Sequence, residues 1–252
     1  MVHSAVVEFD AFTDDSDYSG QSAAGSNRLL EDLPPEEADL LDSLFEEVAL
    51  DSATEIAPAG QVIEWVHFPD TAVLSLITEI GGGGGVEAVT VGRDGMSGLP
   101  LVAGSSTTFV RIVCQIPGRS RRIRARDFID ALPRLPEMTK RVMLYSQLAF
   151  DVTSQSAACN RVHVTEERCA RWLLMSQDRA GRGEFKLTQV FLAQMLGVRR
   201  PAVTVAIGVL ESAGLIQHRR GRIRIINRAG LEDAACECYS LIRARQKELL
   251  GF

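Results

Sequence analysis

The residues of this sequence best suited to chemistry are arginines gathered in one stretch of the chain. Residues 187–228 contain seven arginines and a single acidic residue, Glu211. An arginine side chain binds phosphate, and it can donate two parallel hydrogen bonds to the O6 and N7 atoms of guanine. This concentration of arginine therefore indicates a surface that binds nucleic acid.

The same stretch carries the pattern of two short helices joined by a tight turn. Thr188 is a good N-cap for a helix over residues 189–196, and Gly197 is suited to the left-handed conformation that ends one. A second helix is predicted over residues 200–213, with Pro201 tolerated in its first turn. This spacing is typical of a helix-turn-helix, whose second helix enters the major groove of DNA.

Two further features support that interpretation. The small Ala193 lies where the two helices approach each other, and Val203 and Ala206 point into their small core. After the second helix, residues 215–225 predict a β-hairpin whose tip is rich in arginine. A groove-reading helix followed by a basic hairpin predicts a winged helix-turn-helix.

The position of each polar residue predicts what it would contact on DNA. Arg199 and Arg200 begin the second helix and can reach base edges, and Thr204 lies one turn further on. The remaining residues are better placed for phosphates. The alternative, a solvated surface charge, is most plausible for Arg224 and Arg228. The predicted DNA-binding residues are Thr188, Gln189, Arg199, Arg200, Thr204, Arg219, Arg220 and Arg222.

Charge divides the chain into two unlike parts. Residues 160–252 contain 16 basic and 9 acidic side chains, whereas residues 1–159 contain 11 and 24. The net charge of −6 hides this division. It indicates an acidic domain joined to a nucleic-acid-binding one.

Length and composition exclude several classes of protein. The chain has 252 residues, 46% of them hydrophobic, which suits one large domain or two modest ones. The sequence lacks an apolar run of the roughly 20 residues that a membrane helix needs, and its acidic start does not resemble a secretion signal. Five cysteines form no disulfide framework. We therefore expect a cytoplasmic protein with free thiols.

The first half of the chain predicts an acidic tail, a short helical segment and then strands. Residues 1–27 predict a disordered tail, which ends where Asn27 caps a short helix. Another helix starts at Pro34 and Pro35, with apolar side chains at helical spacing. These side chains are Leu40, Leu41, Leu44, Phe45 and Val48. Residues 72–80, 86–91 and 108–116 predict strands of a small barrel or jelly roll, and Gly81–Gly85 predict a hairpin tip.

A long helix is predicted after Pro136, and an amphipathic helix that buries Trp172 and Leu173 follows over residues 165–175. The long helix carries a narrow apolar stripe. Such a stripe is typical of a coiled-coil dimer contact, but a helix packed on its own domain shows it too, and the stripe alone does not decide. The dimer-helix residues predicted from it are Met138, Tyr145, Leu148, Val152 and Cys159.

Residues for catalysis or for a metal do not come together in the sequence. Of the histidines only His67 falls in the predicted barrel, and we expect it to be a packing or surface residue. Cys236 and Cys238 would point about 200° apart on a helix, and no second ligand pair accompanies them, so no zinc site is predicted. We expect that the protein is not an enzyme. A redox role for Cys159 and Cys169 competes with the commoner role of buried thiols.

Three segments resemble the Crp-Fnr family of bacterial transcription regulators. They are ERCARWLLMSQDRAG at 167–181, LTQVFLAQMLGVRRPAVT at 187–204 and AGLIQHRRGRIRI at 213–225. The resemblance implies an α+β protein with an N-terminal cyclic-nucleotide-binding-like β-roll, or jelly roll, over residues 28–136. A dimerisation helix over 137–163 and a C-terminal winged helix-turn-helix over 164–252 would follow.

By this resemblance the protein would be a homodimer that binds a two-fold site on double-stranded DNA, with RNA polymerase as a further partner. The alternative is a ligand- or redox-sensing β-roll that acts on a protein partner, which leaves the arginine-rich segment unexplained.

The sequence departs from the family at the residues that hold cyclic AMP. Where relatives have Gly-Glu this chain has Gly98 and Leu99, and where they have Arg-Ser it has Thr108 and Phe109. Leucine cannot accept a hydrogen bond from a ribose hydroxyl, so this effector pocket is degenerate, and cyclic AMP is not expected as effector. No cofactor is predicted. The iron-sulfur cluster of the oxygen-sensing branch needs N-terminal cysteines, and the first cysteine here is Cys114.

Overall fold

The computed structural model describes residues 26–81 and 84–252. The predicted acidic tail therefore lies outside the described residues, apart from its last two positions. The side chain of Asn27 accepts a hydrogen bond from the backbone of Leu29 and caps a 3-10 turn, Arg28–Leu30, as predicted. Helix α1, Pro35–Leu44, begins at the predicted prolines. It stops before Phe45, and Val48 lies in a strand instead of in the predicted helical pattern.

Two antiparallel sheets form the N-terminal β-roll. One has the strand order β1-β7-β3 and the other β2-β6-β4-β5. Three of these strands, β4, β5 and β6, match the segments predicted from the sequence. The strands are β1 (Glu46–Leu50), β2 (Glu55–Ala57), β3 (Trp65–Pro69), β4 (Val73–Ile80), β5 (Gly84–Val91), β6 (Arg111–Ile116) and β7 (Gly118–Arg124).

The core of the β-roll is apolar and aromatic. Phe68 packs edge-on against Phe45 and Phe128, with ring centroids 5.5 and 5.9 Å apart. His67 lies in the same region and is buried, with Nδ1 3.5 Å from the hydroxyl of Ser120. Burial, reinforced by the charge of Arg122, lowers the pKa of His67 to about 4. His67 is therefore a neutral packing residue, one of the two roles expected for it.

Helices α2 (Leu99–Val102), α3 (Ala125–Ala131) and α4 (Pro136–Val162) follow or interrupt the strands. Helix α4 has a distinct cap at its N-terminus. The carboxylate of Glu37 accepts hydrogen bonds from the backbone N–H groups of Glu137 and Met138, both at 2.9 Å. A negative charge there also favours the helix dipole, so this contact ties α1 to the long helix.

The apolar stripe of α4 packs against its own chain. Met138, Tyr145, Leu148, Val152 and Cys159 are all buried, none more than 4% exposed. The prediction that these side chains form the dimer contact is therefore wrong, and the alternative of a helix packed on its own domain holds for them. The reason is that the β-roll and the C-terminal helices cover this face of α4.

The C-terminal third is a separate small set of helices and a three-stranded sheet. The sheet has the order β8-β10-β9, and β8 was not predicted. Helix α5 includes the predicted segment 165–175, and Trp172 and Leu173 are buried as expected. The elements are α5 (Thr165–Ala180), β8 (Glu184–Lys186), α6 (Gln189–Leu196), α7 (Arg200–Ser212), β9 (Ile216–Arg219), β10 (Arg222–Ile225), α8 (Arg228–Ala234) and α9 (Cys238–Leu250).

Buried polar contacts join this C-terminal part to the β-roll. The indole N–H of Trp172 on α5 donates to a carboxylate oxygen of Glu87 on β5 at 2.8 Å. Arg179, also on α5, pairs with Asp94 at 3.3 Å. Burial raises the pKa of Glu87, and hydrogen bonds from Ser75 and other donors offset part of that rise. The two parts are therefore held by specific pairs in addition to apolar contact.

No single helix in the described part of the chain has both the length and the apolar content to cross a bilayer. Helices α6 and α7 reach the required length and apolar content only when they are taken together, and their axes are bent by 105° relative to each other.

Candidate nucleic-acid interface

Helices α6 and α7 form the predicted pair around a tight turn. The side chain of Thr188 accepts a hydrogen bond from the backbone of Phe191 at 3.1 Å, which caps α6 as expected. Gly197 has φ +63°, the left-handed conformation that ends the helix. The bend of 105° between the helices lies in the range of helix-turn-helix motifs.

The small core predicted for this motif is present. Val203 and Ala206 on α7 are fully buried, and Ala193 on α6 is 7% exposed. Because Gly197 has no side chain, the turn approaches the β-roll closely. A Cβ atom at Gly197 would lie 3.3 Å from both methyl groups of Val86 on β5. The small apolar core fixes the position of α7 relative to α6, and the turn between the two helices contacts β5 of the β-roll.

The start of α7 presents its polar side chains outward. Arg199 is the N-cap residue of the helix, Arg200 is its first residue, and both are exposed. Neither forms an ion pair with any acidic side chain in the described part of the chain. The hydroxyl of Thr204 donates to Gln189 Oε1 at 2.9 Å. The structure thus brings together the residues predicted to contact bases and one predicted to contact phosphate.

A shallow cavity lies between the start of α7 and the base of the hairpin. Its volume is about 330 Å³. Three of the six residues that line it, Thr188, Gln189 and Arg200, were predicted to bind DNA. The lining residues are Thr188, Gln189, Val190, Arg200, His218 and Gly221. His218 was not predicted as a site residue.

Strands β9 and β10 form the predicted hairpin. Arg219 pairs with Arg222 across a two-residue turn in which Arg220 and Gly221 have φ of +50° and +72°. Positive φ at both central residues matches the twist of the flanking strands. Arg219 and Arg220 are exposed at this tip, and neither has an ion-pair partner among the described residues. The tip is therefore free to contact phosphate.

Two other arginines of the segment are occupied within the protein. Arg224 donates to Glu184 on β8 at 2.6 Å, and Arg222 lies 3.6 Å from the same carboxylate. Arg228 pairs with Asp178 at 2.8 Å and with Glu232. Arg224 and Arg228 therefore have acidic partners within the protein. Arg222 shares Glu184 with Arg224, and the sequence pattern did not reveal this pairing.

The only acid of the arginine-rich segment also has a structural role. Glu211 lies near the end of α7, and its carboxylate accepts a hydrogen bond from the backbone N–H of His218 on β9 at 2.6 Å. This contact holds the hairpin against α7. It also leaves the exposed surface formed by the helix start and the hairpin tip with a positive charge.

Sequence reasoning missed the apolar part of this surface. Val205 and Val209 are 57% and 49% exposed on α7, on the side that the core does not use. Exposed apolar side chains on such a helix can contact the methyl group of thymine. Val205 and Val209 are four residues apart, so they share one side of α7. That side differs from the one that carries Val203 and Ala206, and this spacing in the sequence could have predicted their exposure.

The four residues predicted to form a degenerate effector pocket differ in conformation and in exposure. Gly98 has φ +85° and precedes α2, and Leu99 begins that helix half-buried. The hydroxyl of Thr108 donates to the carbonyl of Val110 at 2.8 Å, so it serves the local turn. Phe109 is 83% exposed. No charged side chain stands at any of these four positions.

Comparison with known proteins identifies the C-terminal part. A family model of the Crp-like helix-turn-helix domain matches residues 167–234, which span α5 to α8. Residues 167–234 form a Crp-like helix-turn-helix domain. The match covers every predicted DNA-binding residue. No curated protein sequence matches the chain.

Solved structures show that the fold extends beyond the Crp-like domain. FixK2 from Bradyrhizobium japonicum is similar with a TM-score of 0.63 and 16% identity, over 76% of this chain and 98% of that one. A protein from Eubacterium rectale, described as a transcriptional regulator of the Crp/Fnr family, gives 0.62 and 18% over 82% and 96%. The c-di-GMP-responsive regulator CLP of Xanthomonas campestris gives 0.61 and 13% over 75% and 97%. The chain therefore has a Crp/Fnr-type transcription regulator fold, with an N-terminal β-roll and a C-terminal Crp-like domain.

Proposed function

We propose that this protein is a homodimeric transcription regulator that recognises a two-fold DNA site without control by cyclic AMP. The observation that carries the proposal is the exposed, unpaired set of arginines on α7 and the hairpin tip. Arg199 and Arg200 would read bases in the major groove, whereas Arg219 and Arg220 would hold phosphates. RNA polymerase would be a further partner.

Dimerisation is supported by a face of α4 that the sequence analysis did not select. Met143 and Phe150 are 59% and 68% exposed, and Ala157 follows at the same spacing of seven residues. Apolar side chains every seven residues lie along one line of a helix and suit contact with a second helix. The proposed dimer contact therefore uses Met143, Phe150 and Ala157 in place of the buried stripe.

Independence from cyclic AMP is supported by the side chains at the effector pocket. Leu99 stands where a carboxylate would accept the ribose hydroxyl. Arg111, the nearest arginine to the expected phosphate ligand, pairs with Glu79 at 3.2 Å and lies 4.0 Å from Glu55. A cyclic phosphate would have to displace these acids to reach it.

The proposal is tested by titrating purified full-length protein against a selected DNA site, with and without cyclic AMP, at several salt concentrations. We expect tight binding that the nucleotide does not change and that weakens steeply with salt, because phosphate contacts release counterions. Random DNA of equal length is the control. A large gain in affinity on adding cyclic AMP would show that the pocket works through other residues.

A further inference from the structure

Three cysteines and one histidine meet where the end of α4 approaches the junction of α8 and α9. Cys159 and His163 come from the end of α4, and Cys236 and Cys238 come from the junction. One potential ligand atom from each residue lies within 4.8 Å of all the others. The Sγ atoms of Cys159 and Cys236 are 3.5 Å apart, and Cys238 Sγ is 3.6 Å from His163 Nδ1.

Local structure explains why the four side chains converge. Cys159 and His163 are four residues apart, so they lie on the same side of the last turn of α4. Cys236 is not helical, because α8 ends at Ala234 and α9 begins at Cys238. The expectation that Cys236 and Cys238 diverge on one helix is therefore wrong, and both thiols turn toward α4.

We propose that these four residues bind one zinc ion in a tetrahedral Cys₃His site. Zinc binds thiolate sulfur at about 2.3 Å and imidazole nitrogen at about 2.0–2.1 Å, which puts tetrahedral ligand atoms roughly 3.5–3.8 Å apart. Two of the six separations between the ligand atoms, 3.5 and 3.6 Å, match that spacing, and all six are within 4.8 Å. An iron-sulfur cluster distributes its ligands over several iron atoms and so needs a wider arrangement. The proposal does not depend on the proposed DNA binding.

The orientation of His163 is that of a metal ligand. Its Nε2 atom lies 3.1 Å from the carboxylate of Glu237, and Nδ1 faces the cysteines. With the Nε2 proton donated to Glu237, the lone pair of Nδ1 is directed toward the thiols. A histidine whose second nitrogen is held by a carboxylate is the usual arrangement at zinc sites, since it fixes the ring and its tautomer.

Nearby positive charge supplies an independent observation. Arg168 and Arg171 on α5 are each 6% exposed, and neither pairs with a carboxylate in the described part of the chain. Their Nε atoms are buried without a hydrogen-bond acceptor. Arg168 donates to the backbone carbonyl of Leu196, and a terminal nitrogen of Arg171 lies 3.5 Å from the hydroxyl of Ser156, three residues before Cys159 on α4. Three thiolates around Zn²⁺ leave one net negative charge, which would compensate these buried cations.

The surroundings also supply a hydrogen bond to sulfur. The side-chain amide of Gln155, one turn before Cys159, donates to Cys238 Sγ at 3.0 Å. A thiolate accepts such a bond more strongly than a thiol does. The proposed ion would join α4 to the start of α9, and about two turns further along α9 Arg245 pairs with Asp151 of α4 at 2.7 Å. Zinc would therefore stabilise the C-terminal helix on the long helix.

The test measures metal in the full-length protein. We expect about one zinc per chain by mass spectrometry after purification without chelator. After zinc is removed and Co²⁺ is added, we expect the visible absorption of tetrahedral thiolate-bound cobalt. Cys238→Ser and His163→Ala should each lose most of the bound zinc. Cys114→Ala and Cys169→Ala are matched controls, because both residues are buried cysteines outside the cluster and their loss should leave zinc content unchanged.

The wild-type measurements keep the proposal falsifiable if a cysteine variant fails to fold. Protein that carries no zinc from zinc-supplemented cells and takes up no Co²⁺ would overturn the assignment. So would the absorption of an iron-sulfur cluster, a disulfide between Cys159 and Cys236 in freshly purified protein, or full zinc content in folded Cys238→Ser. Because no DNA is present, failure here is distinct from failure of the proposed regulator function.

Discussion

At the scale of single residues, the partners of each arginine separate DNA-binding candidates from structural ones. Arg199, Arg200, Arg219 and Arg220 are exposed and have no acidic partner among the described residues. Arg224, in contrast, pairs with Glu184 of β8. All five are equally basic in the sequence, so only the tertiary structure distinguishes them.

The first prediction concerns base reading by Arg200. Arg200→Ala should relax specificity at one base position and weaken binding to the selected site by about 1–3 kcal/mol, because a bidentate contact to a base is lost. The measurement is the dissociation constant on the selected site, on single-base variants of it and on random DNA. Equal losses on selected and random DNA would show that Arg200 contacts only phosphate.

Two matched variants separate base reading from phosphate contact. Arg220→Gln should weaken binding to all sequences alike and reduce the salt slope by about one, since one phosphate contact is removed. Glutamine keeps a long side chain at this left-handed position. Arg224→Gln should weaken DNA binding less than Arg220→Gln does, because Arg224 already forms an ion pair with Glu184. A larger effect for Arg224→Gln would contradict this assignment of the hairpin.

Much of the residue-level pattern could be predicted from local rules. Thr188 as an N-cap and Gly197 as the end of α6 depend only on neighbouring backbone groups, and both were found as expected. Glu184 could not be assigned, because its role depends on β8 pairing with β10, about 40 residues further along the chain. The proposed zinc ligands were not predicted for a similar reason, since the break between α8 and α9 was not visible in the sequence.

At the scale of elements, α4 shows that one helix can carry two apolar lines. One line runs through Met138, Tyr145 and Val152, was predicted from the sequence, and is buried against the rest of the chain. The second line, Met143, Phe150 and Ala157, is interrupted by polar residues and remains exposed. Periodicity detects both lines but does not say which one the β-roll covers.

The prediction at this scale is that Phe150 mediates the dimer. Phe150→Asp should shift the protein from dimer to monomer and raise the dissociation constant of the dimer at least tenfold, because a charge would be placed in an apolar contact. Sedimentation equilibrium over a range of concentrations measures this change.

The matched control is Phe109→Asp. Phe109 is also an exposed phenylalanine, 83% accessible, but it belongs to the β-roll and not to α4. This variant should remain dimeric. A wild-type protein that is monomeric at micromolar concentration, or a Phe150→Asp protein that stays dimeric, would contradict the assignment of this face.

At the scale of the whole molecule, the fold class and the order of domains follow from the sequence, but the docking of the domains does not. The residue patterns predicted a small barrel or jelly roll, a long helix and a winged helix-turn-helix, and the resemblance to the Crp-Fnr family implied the β-roll and the Crp-like domain. The contacts that join them, Trp172 to Glu87 and Arg179 to Asp94, link residues 85 positions apart along the chain. Neither pair has a local signal, because the two partners of each pair come from different domains.

The most direct measurement of the central claim is selection of binding sites from random DNA by the purified full-length protein. The account predicts a two-fold symmetric sequence with half-sites about 34–36 Å apart, one helical turn, because two copies of α7 would enter successive major grooves on one side of the duplex. Enrichment of a single unpaired half-site, or no enrichment at all, would contradict a dimeric sequence-specific regulator.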